Sequence, residues 1–218
     1  MAPKVKICCI GSIEEARLAI RHGASALGLV SEMPSGPGVI PEDSIAEIAS
    51  AVPPLVTSVL LTSKRDASSI LKQHRRCGTN AIQICDEIGT RGLDELRRSL
   101  PGVGIIQVIH VRGEESVEEA ASVTPHVDAI LLDSGDPSLR VRELGGTGRI
   151  HDWSVSGRIR ETVGVPVILA GGLDLENVAE AIRVVRPYAV DVCSGVRTEG
   201  RLDESKLQEF FKQVSRSI

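Results

Sequence analysis

Short apolar runs alternate with amphipathic segments along the whole chain, and this alternation is the feature that most constrains the fold. The first unit is the apolar run Lys4–Ile10, followed by a helical pattern over Ile13–His22. Seven further units of the same kind follow it. Most of the runs are solidly apolar, which is typical of parallel strands that are covered on both faces. Strands that alternate with helices pair in parallel through right-handed crossovers.

Eight such units in 218 residues predict an α/β fold, a single (β/α)8 TIM barrel that forms one domain over residues 1–218. We place the strands at residues 4–10, 26–30, 56–62, 81–85, 105–111, 129–132, 166–170 and 189–193. The alternative is an open, doubly wound sheet. The glycine fingerprint of that fold does not follow the first strand, where Gly11 stands alone.

The composition argues against several classes of partner. A net charge of −4 and an aromatic content of 2% indicate no surface for nucleic acid. No apolar run approaches the roughly 20 residues that cross a bilayer, and the N-terminus has no apolar signal segment. Five cysteines, an odd number, are typical of a reducing compartment rather than of a disulfide framework. We therefore expect a cytoplasmic protein with no membrane or nucleic-acid partner.

Two adjacent cysteines lie at the end of the first predicted strand, where barrels of this kind carry their chemistry. Side chains alternate along a strand, so Lys6 and Cys8 share one face and Cys9 lies on the other. Only one cysteine is then expected to face the barrel, and the pattern leaves open which one. A buried cysteine usually serves only packing. The strand-end position close to Lys6 favours instead a usable thiolate.

Asp133 ends the sixth predicted strand after four apolar residues. Burying a carboxylate there is costly unless it reaches solvent, a partner or a substrate. A raised pKa is expected in such surroundings, and it suits a general acid near neutral pH. The alternative is a capping or turn carboxylate in the loop 134–137.

Small residues follow the last two strands, with Gly171-Gly172 after the seventh and Ser194-Gly195 after the eighth. Glycine lets the backbone approach an anion, and barrels often bind phosphate in these two loops. Gly146 and Gly148 in the long sixth loop supply a further backbone lip over a ligand. Ordinary turns explain the same glycines without a ligand. Together with an acid and a base, they indicate proton-transfer isomerisation of a sugar phosphate.

The chain resembles the phosphoribosylanthranilate isomerase family of tryptophan biosynthesis nearly from end to end. The motifs that carry the resemblance are Lys6-Ile7-Cys8, Gly23-Ala24, Leu27-Gly28, Ile82-Gln83, Leu131-Leu132-Asp133-Ser134, Gly145-Gly146-Thr147-Gly148, Asp152-Trp153-Ser154, Leu169-Ala170-Gly171-Gly172-Leu173, Glu176-Asn177-Val178, Ala189-Val190-Asp191-Val192 and Ser194-Gly195-Val196.

The resemblance implies an Amadori rearrangement, in which an N-linked aminoaldose phosphate becomes an aminoketose. It implies that Cys8 is the general base at the sugar C2 proton and that Asp133 is the general acid at the ring oxygen. It implies no metal and no cofactor, a sugar phosphate as the small-molecule partner, and a monomer or homodimer. The residues that it implies for substrate and phosphate binding are Lys6, Gly146, Gly148, Gly171, Gly172, Ser194 and Gly195.

Three positions depart from the family pattern. Cys9 stands where the family usually has glycine, and Cys85-Asp86 replaces a His-Gly pair at the end of the fourth strand. The loop 31–40 has no Arg for the anthranilate carboxylate, and Pro37 lies near the matching place. Cys85 and Ser35 are the residues that we assign to the aglycone pocket. These departures keep two alternatives open: an isomerase for a different ribose phosphate, or a barrel that binds a phosphate ligand without catalysis.

Overall fold

The computed structural model describes residues 2–217, and its centre is a closed barrel of eight parallel strands in sequential order. β1 pairs with both β2 and β8, which closes the barrel. The predicted TIM barrel is therefore confirmed. The strands are β1 Lys4–Ile7, β2 Ala26–Val30, β3 Thr57–Thr62, β4 Ala81–Ile84, β5 Gly104–His110, β6 Ala129–Asp133, β7 Val167–Leu169 and β8 Ala189–Val192.

One α-helix follows each strand of the barrel. Several helices begin where a polar side chain accepts a backbone N–H of the first turn, as Ser12 does from Glu15 at 3.2 Å and Asp66 from Ser69 at 2.8 Å. The helices are α1 Ile13–Arg21, α2 Glu42–Ala51, α3 Ala67–Cys77, α4 Gly89–Ser99, α5 Glu115–Val123, α6 Trp153–Thr162, α7 Val178–Val185 and α8 Glu204–Arg216. No helix within residues 2–217 is long and apolar enough to cross a membrane.

The structure differs from the predicted elements mainly at strand ends. β1 ends at Ile7 rather than Ile10, because Cys9 has a left-handed φ of 62° that interrupts the extended backbone. A short antiparallel hairpin, β9 Arg197–Thr198 and β10 Arg201–Leu202, lies between β8 and α8 and was not predicted. This hairpin brings Arg197 to the mouth of the barrel.

The core has two apolar layers, which follow from the alternation of side chains along each strand. The larger layer lies between strands and helices and includes Ile7, Leu27 and Phe210. The smaller layer fills the barrel itself with side chains such as Val59 and Leu131. The inward positions near the carboxyl ends of the strands are polar instead, as expected if a functional site lies at this end of the barrel. Polar or ionisable side chains buried there include Lys6, Gln83, Cys85, His110, Asp133 and Asp191.

Candidate active site

A cavity at the carboxyl ends of the strands, here called the mouth cavity, holds about 720 Å³ of empty space including its opening to solvent. Residues from the ends of most strands and from the loops after them contribute to it. Most of the residues that the sequence predicts for the site line it. These are Cys8, Ser35, Cys85, Asp133, Gly146, Gly148, Gly171, Gly172 and Ser194.

The Cys8 side chain enters the barrel against Gly28. A methyl group placed on Gly28 would lie 2.8 Å from the Cys8 sulfur and 3.0 Å from the Lys6 nitrogen, so the two side chains share this space. The Cys8 backbone N–H donates to the Val192 carbonyl at 2.9 Å and prolongs the pairing of β1 with β8. The sulfur therefore lies at a position held by two neighbouring strands.

The expectation that only one of the two cysteines faces the cavity is wrong, because Cys9 lines it as well. Alternation of side chains requires extended backbone, and the φ of 62° at Cys9 is not extended. The Cys9 thiol lies 3.7 Å from the Pro37 carbonyl, which it can reach as a weak donor. The loop after β2 thus packs directly on the end of β1.

Lys6 lies deeper than Cys8, where its ammonium group pairs with Asp191 at 2.7 Å. The two side chains are 2% and 7% exposed, so the pair is buried. Burial by itself would lower the pKa of Lys6, but attraction to the Asp191 carboxylate raises it, and the net shift is upward. Asp191 lines the mouth cavity, whereas Lys6 is not among its lining residues. The Asp191 carboxylate is therefore compensated by Lys6.

Asp133 at the end of β6 is 8% exposed and points its two oxygens to different neighbours. Oδ1 accepts the Ser134 N–H at 2.6 Å, and Oδ2 faces Gly145, where a methyl group would lie 2.8 Å away. Burial raises the pKa of Asp133, although the hydrogen bond from Ser134 opposes the shift. The direction predicted from the sequence is confirmed. Such a carboxyl group holds its proton to a higher pH than a solvated aspartate.

The glycines after β7 and β8 permit close backbone approaches. Gly171 and Gly172 have φ values of 81° and 63°, a region that favours glycine. Any side chain on Gly195 would collide with the Leu173 carbonyl, since its first carbon would lie 2.2 Å from that oxygen. Gly195 therefore holds the two loops together and is not among the cavity-lining residues. Its predicted contact with phosphate remains a prediction, as do those of the other glycines.

The long loop between β6 and α6 lies over the cavity and is bound to the loop after β2. Ser35 Oγ donates to the Arg142 carbonyl at 2.8 Å, and Ser134 Oγ lies 2.8 Å from Thr147 Oγ1. A methyl group on Gly146 would lie 2.7 Å from the Pro37 ring. Glycine is thus required where this loop meets Pro37.

No Lys, Arg or His is among the lining residues of the mouth cavity in the part of the chain that the structure describes. Burial raises the pKa of the Cys85 thiol to about 12, so Cys85 is neutral. Asp86, which follows it, pairs with Arg142 and lies 3.8 Å from Arg65. Within residues 2–217, Asp133 and Asp191 are the acidic side chains that line the mouth cavity.

The sequence did not point to Arg197, which organises the end of β1. Its Nη2 donates to the carbonyls of Cys8 at 3.2 Å and Cys9 at 2.6 Å, and its other amino group binds Glu15 at 2.8 Å. The only local signal was a basic residue shortly after the eighth strand. A fork of N–H donors is suited to two successive carbonyls.

Comparison with known proteins identifies a family. Residues 5–213 match the family model described as N-(5′-phosphoribosyl)anthranilate (PRA) isomerase. Proteins named N-(5′-phosphoribosyl)anthranilate isomerase from Methanothrix thermoacetophila and Methanocella arvoryzae are 37% and 38% identical, with 97% of each chain covered. The phosphoribosyl anthranilate isomerase structure from Thermotoga maritima aligns with a TM-score of 0.83 at 31% identity, covering 98% of both chains. Another isomerase, in complex with reduced 1-(o-carboxyphenylamino)-1-deoxyribulose 5-phosphate, aligns at 0.81 and 29% identity with 98% of both chains covered.

Proposed function

The chain belongs to the N-(5′-phosphoribosyl)anthranilate isomerase family, as predicted, and we propose that it catalyses the Amadori rearrangement of N-(5′-phosphoribosyl)anthranilate to 1-(o-carboxyphenylamino)-1-deoxyribulose 5-phosphate. The observation that carries this proposal is that Cys8 and Asp133, which are far apart in the sequence, line one cavity. Acid–base isomerisation needs an acid and a base on the same substrate.

In the proposed reaction, Asp133 protonates the ring oxygen of the ribose and opens the ring to an imine. The raised pKa of Asp133 supports this role, because burial keeps the acid form available at higher pH. Its Oδ1 is fixed by Ser134, so the proton would be delivered from Oδ2 on the side of Gly145.

Cys8 then removes the proton from C2 of the sugar as the thiolate, and the substrate nitrogen accepts the electron pair. The enaminol that forms gains a proton at C1 and loses the proton of its C2 hydroxyl group, which gives the aminoketose. The Lys6 ammonium lies against the same glycine as the Cys8 sulfur, and Asp191 holds it there. Lys6 contributes positive charge to the base from beneath the cavity.

We propose that the phosphate is held by backbone N–H groups after β7 and β8, around Gly172 and Ser194. Support comes from the positive φ of Gly172 and from the close packing of Gly195 on Leu173, which together bring the two loops to one side of the mouth. Phosphate binding by these two loops recurs in barrels of this kind.

The test is the fluorescence of N-(5′-phosphoribosyl)anthranilate, which the active protein should abolish by consuming the substrate. Cys8→Ser and Asp133→Asn are each expected to slow the reaction by about 10²–10⁴-fold, the usual contribution of a general acid or base. Cys77→Ser is the matched control, since Cys77 is a buried thiol at the end of α3. A wild-type protein without effect on the fluorescence, beside an active control enzyme, would exclude this substrate.

A second candidate is the same chemistry on a ribose phosphate whose amine carries no carboxylate. The observation in its favour is the acidic lining of the cavity, which offers Asp133 and Asp191 but no Lys or Arg within residues 2–217. N-(5′-phosphoribosyl)aniline separates the candidates. If the carboxylate is recognised by a charged hydrogen bond, removing it should lower kcat/KM by about 30- to 160-fold, equivalent to about 2–3 kcal/mol. Equal kcat/KM values for the two substrates would favour the second candidate.

A further inference from the structure

We propose that Arg142 determines the specificity of the site by binding the carboxylate of the substrate's aryl group, and that Asp86 holds Arg142 in place for this contact. The assignment rests on the proposed function and adds to it the residue that recognises the carboxylate. Neither residue transfers a proton in the proposed reaction, so the pair acts on the choice of substrate. The cation comes from the long loop between β6 and α6, beside the wall that separates the mouth cavity from a second cavity.

A carboxylate that leaves water for a protein cavity needs a cation or hydrogen-bond donors to compensate its charge. The loop 31–40 has no Lys or Arg, and Pro37 of that loop lines the mouth cavity. Asp133 and Asp191 add acidic groups to the same lining. For a substrate with an aryl carboxylate, the positive charge must therefore come from a side chain just outside this lining.

The second cavity, here called the helix cavity, opens between α4 and α5 and holds about 1560 Å³ of empty space including its opening to solvent. Its lining includes Arg65, Arg142, Asp86 and Cys85. Cys85 lines the mouth cavity as well, so the end of β4 forms a wall between the two cavities. The remaining Glu and Arg residues of the lining are exposed to solvent, namely Glu87, Arg112 and Glu119.

The backbone of Arg142 lies at the rim of the mouth cavity. Its carbonyl accepts a hydrogen bond from the Ser35 hydroxyl at 2.8 Å, and Ser35 lines that cavity. Leu144, shortly after Arg142 in the same loop, lines it too. The Arg142 side chain extends from this rim to the carboxylate of Asp86, which directly follows Cys85 in the chain. The guanidinium group therefore lies beside the wall between the two cavities.

Asp86 is a rigid anchor for this arginine. Its side chain is 6% exposed, and its backbone carbonyl accepts a hydrogen bond from Gln107 Nε2 at 3.3 Å. Its Oδ1 accepts the Glu87 N–H at 2.9 Å, whereas its Oδ2 pairs with Arg142. An arginine held by a fixed carboxylate is pre-organised, and pre-organisation lowers the entropy cost of binding a ligand.

Two cations share the Asp86 carboxylate, since Arg65 Nε lies 3.8 Å from the same Oδ2. Within residues 2–217, neither arginine forms an ion pair with another carboxylate, so this cluster carries an excess of positive charge. In the same part of the chain, the Arg142 guanidinium donates only through Nη1, which leaves Nε and Nη2 for a ligand. Two donors on one edge of a planar guanidinium match the two oxygens of a carboxylate.

Two other cations that lie buried at this end of the barrel are already compensated. Lys6 pairs with Asp191 at 2.7 Å, and Arg197 pairs with Glu15 at 2.8 Å. Each of these cations has a carboxylate of its own, whereas Arg142 shares one with a second arginine. Arg142 is therefore better suited to accept a further carboxylate.

In the proposed complex, the aryl ring lies against Cys85 and its carboxylate meets the free edge of Arg142. Because Arg65 also faces Asp86, that carboxylate keeps a compensating cation when Arg142 binds the substrate. The contact is remote from the sugar carbons that exchange protons, so it has the same strength before and during proton transfer. Its loss should therefore raise KM and leave kcat nearly unchanged.

The experiment compares kcat/KM for N-(5′-phosphoribosyl)anthranilate and for N-(5′-phosphoribosyl)aniline, which lacks the carboxylate. The wild type should prefer the first by about 30- to 160-fold, as expected for a charged hydrogen bond. Arg142→Met should abolish this preference by raising KM for the carboxylated substrate, and Arg142→Lys, which keeps the charge without the fork, should retain part of it. The ratio of the two values does not depend on the fraction of folded enzyme, so a loss of stability cannot imitate the result.

Arg140→Met is the matched control, since Arg140 is an exposed arginine of the same loop, and it should keep the preference of the wild type. The double variant Asp86→Asn with Arg142→Gln removes both charges of the pair, so no unpaired carboxylate remains in the helix cavity. It should lose the preference as fully as Arg142→Met. A preference that survives in Arg142→Met, or that is lost in Arg65→Met instead, would overturn the assignment.

The outcomes separate the role of Arg142 from the reaction itself. A wild type that converts both substrates equally well recognises no carboxylate, which overturns the role of Arg142 and leaves the isomerase chemistry standing. A wild type that converts neither substrate overturns the proposed function, and the role of Arg142 with it. Calorimetric titration with reduced 1-(o-carboxyphenylamino)-1-deoxyribulose 5-phosphate checks the contact without turnover: Kd should rise by about 30- to 160-fold in Arg142→Met and stay unchanged in Arg140→Met. Equal Kd values in the two variants would contradict the contact.

Discussion

Replacing Lys6 by methionine should destabilise the fold severely while nearly preserving side-chain volume. Lys6 and Asp191 are almost fully buried and join β1 to β8 through a 2.7 Å ion pair. Methionine leaves the Asp191 carboxylate in the barrel without its cation. Removing one partner of a buried pair costs about 3–5 kcal/mol, because the remaining charge loses its compensation. For a chain of this size, about 2–4 °C of Tm per kcal/mol predicts a decrease of about 6–20 °C.

The double variant Lys6→Met with Asp191→Leu separates the cost of the unpaired charge from the loss of packing. Since both charges are then gone, its stability should return to within about 1–2 kcal/mol of the wild type. The exposed pair of Lys212 and Glu209, at 3.0 Å on α8, supplies the control. Lys212→Met should change stability by less than about 1 kcal/mol.

The pH dependence of the stability of Lys6→Met gives a second measure of the cost of the unpaired Asp191 charge. Burial raises the pKa of Asp191 even when Lys6 is present to oppose the shift, and removing Lys6 should raise that pKa further. The folded state then binds a proton that the unfolded state has lost, so stability falls as pH rises from the ordinary aspartate pKa to the raised one. The deficit of Lys6→Met should therefore be largest near pH 7 and shrink toward pH 4. Urea unfolding at several pH values measures it. A Lys6→Met deficit below about 1 kcal/mol, or one independent of pH, would refute the reasoning.

Three further predictions concern the mouth. Asp133→Asn should lose activity yet unfold at a higher Tm, because burial raises the pKa of this carboxyl group and its ionised form destabilises the fold above the ordinary aspartate pKa. We expect a stability gain on the order of 1–3 kcal/mol near pH 7 that disappears below pH 4, and calorimetry at several pH values checks it. Gly28→Ala should lower the stability of the fold by about 1–3 kcal/mol, because the new methyl group would press on the Cys8 sulfur. In Gly104→Ala the methyl group would lie 3.4 Å from its nearest neighbour, so this control should be neutral or stabilising by about 0.4–1 kcal/mol. Equal Tm values for the two variants would contradict this packing. Arg197→Met should lower kcat more than it raises KM, because Arg197 orients the carbonyls of the Cys8–Cys9 segment without lining the mouth cavity. If Arg197 instead bound the substrate, steady-state kinetics would show a larger effect on KM than on kcat.

The order of elements was readable from the sequence because its signals are local. Apolar runs and helical periodicity recur over a few residues, and caps such as Ser12 and Asp66 act within one turn. The parallel pairing then follows from the alternation alone. Strand ends were less well predicted, since β1 continues as an apolar sequence through Ile10 although its pairing with β2 ends at Ile7.

The candidate site was located in outline by the same logic, because residues at the carboxyl ends of parallel strands meet at one edge of a barrel. That argument selected Asp133, the glycines after β7 and the pair Cys8-Cys9, all of which line one cavity. The choice of Cys8 within the pair came from the family resemblance. The strand pattern failed at Cys9, where the rule of alternating faces does not hold. A positive φ at a residue other than glycine is imposed by its surroundings, and no local pattern announces it.

The sequence by itself determined the eight-unit barrel and the strand ends at which chemistry takes place. Only the tertiary structure decided which charges compensate each other, as with Lys6 and Asp191, separated by 185 positions in the chain. It also decided that Arg197 holds the carbonyls of Cys8 and Cys9, and that the Cys9 thiol reaches the Pro37 carbonyl. The physical reason is that periodicity and capping depend on neighbours along the chain, whereas ion pairs, thiol contacts and pKa shifts depend on distances that exist only after the barrel has closed.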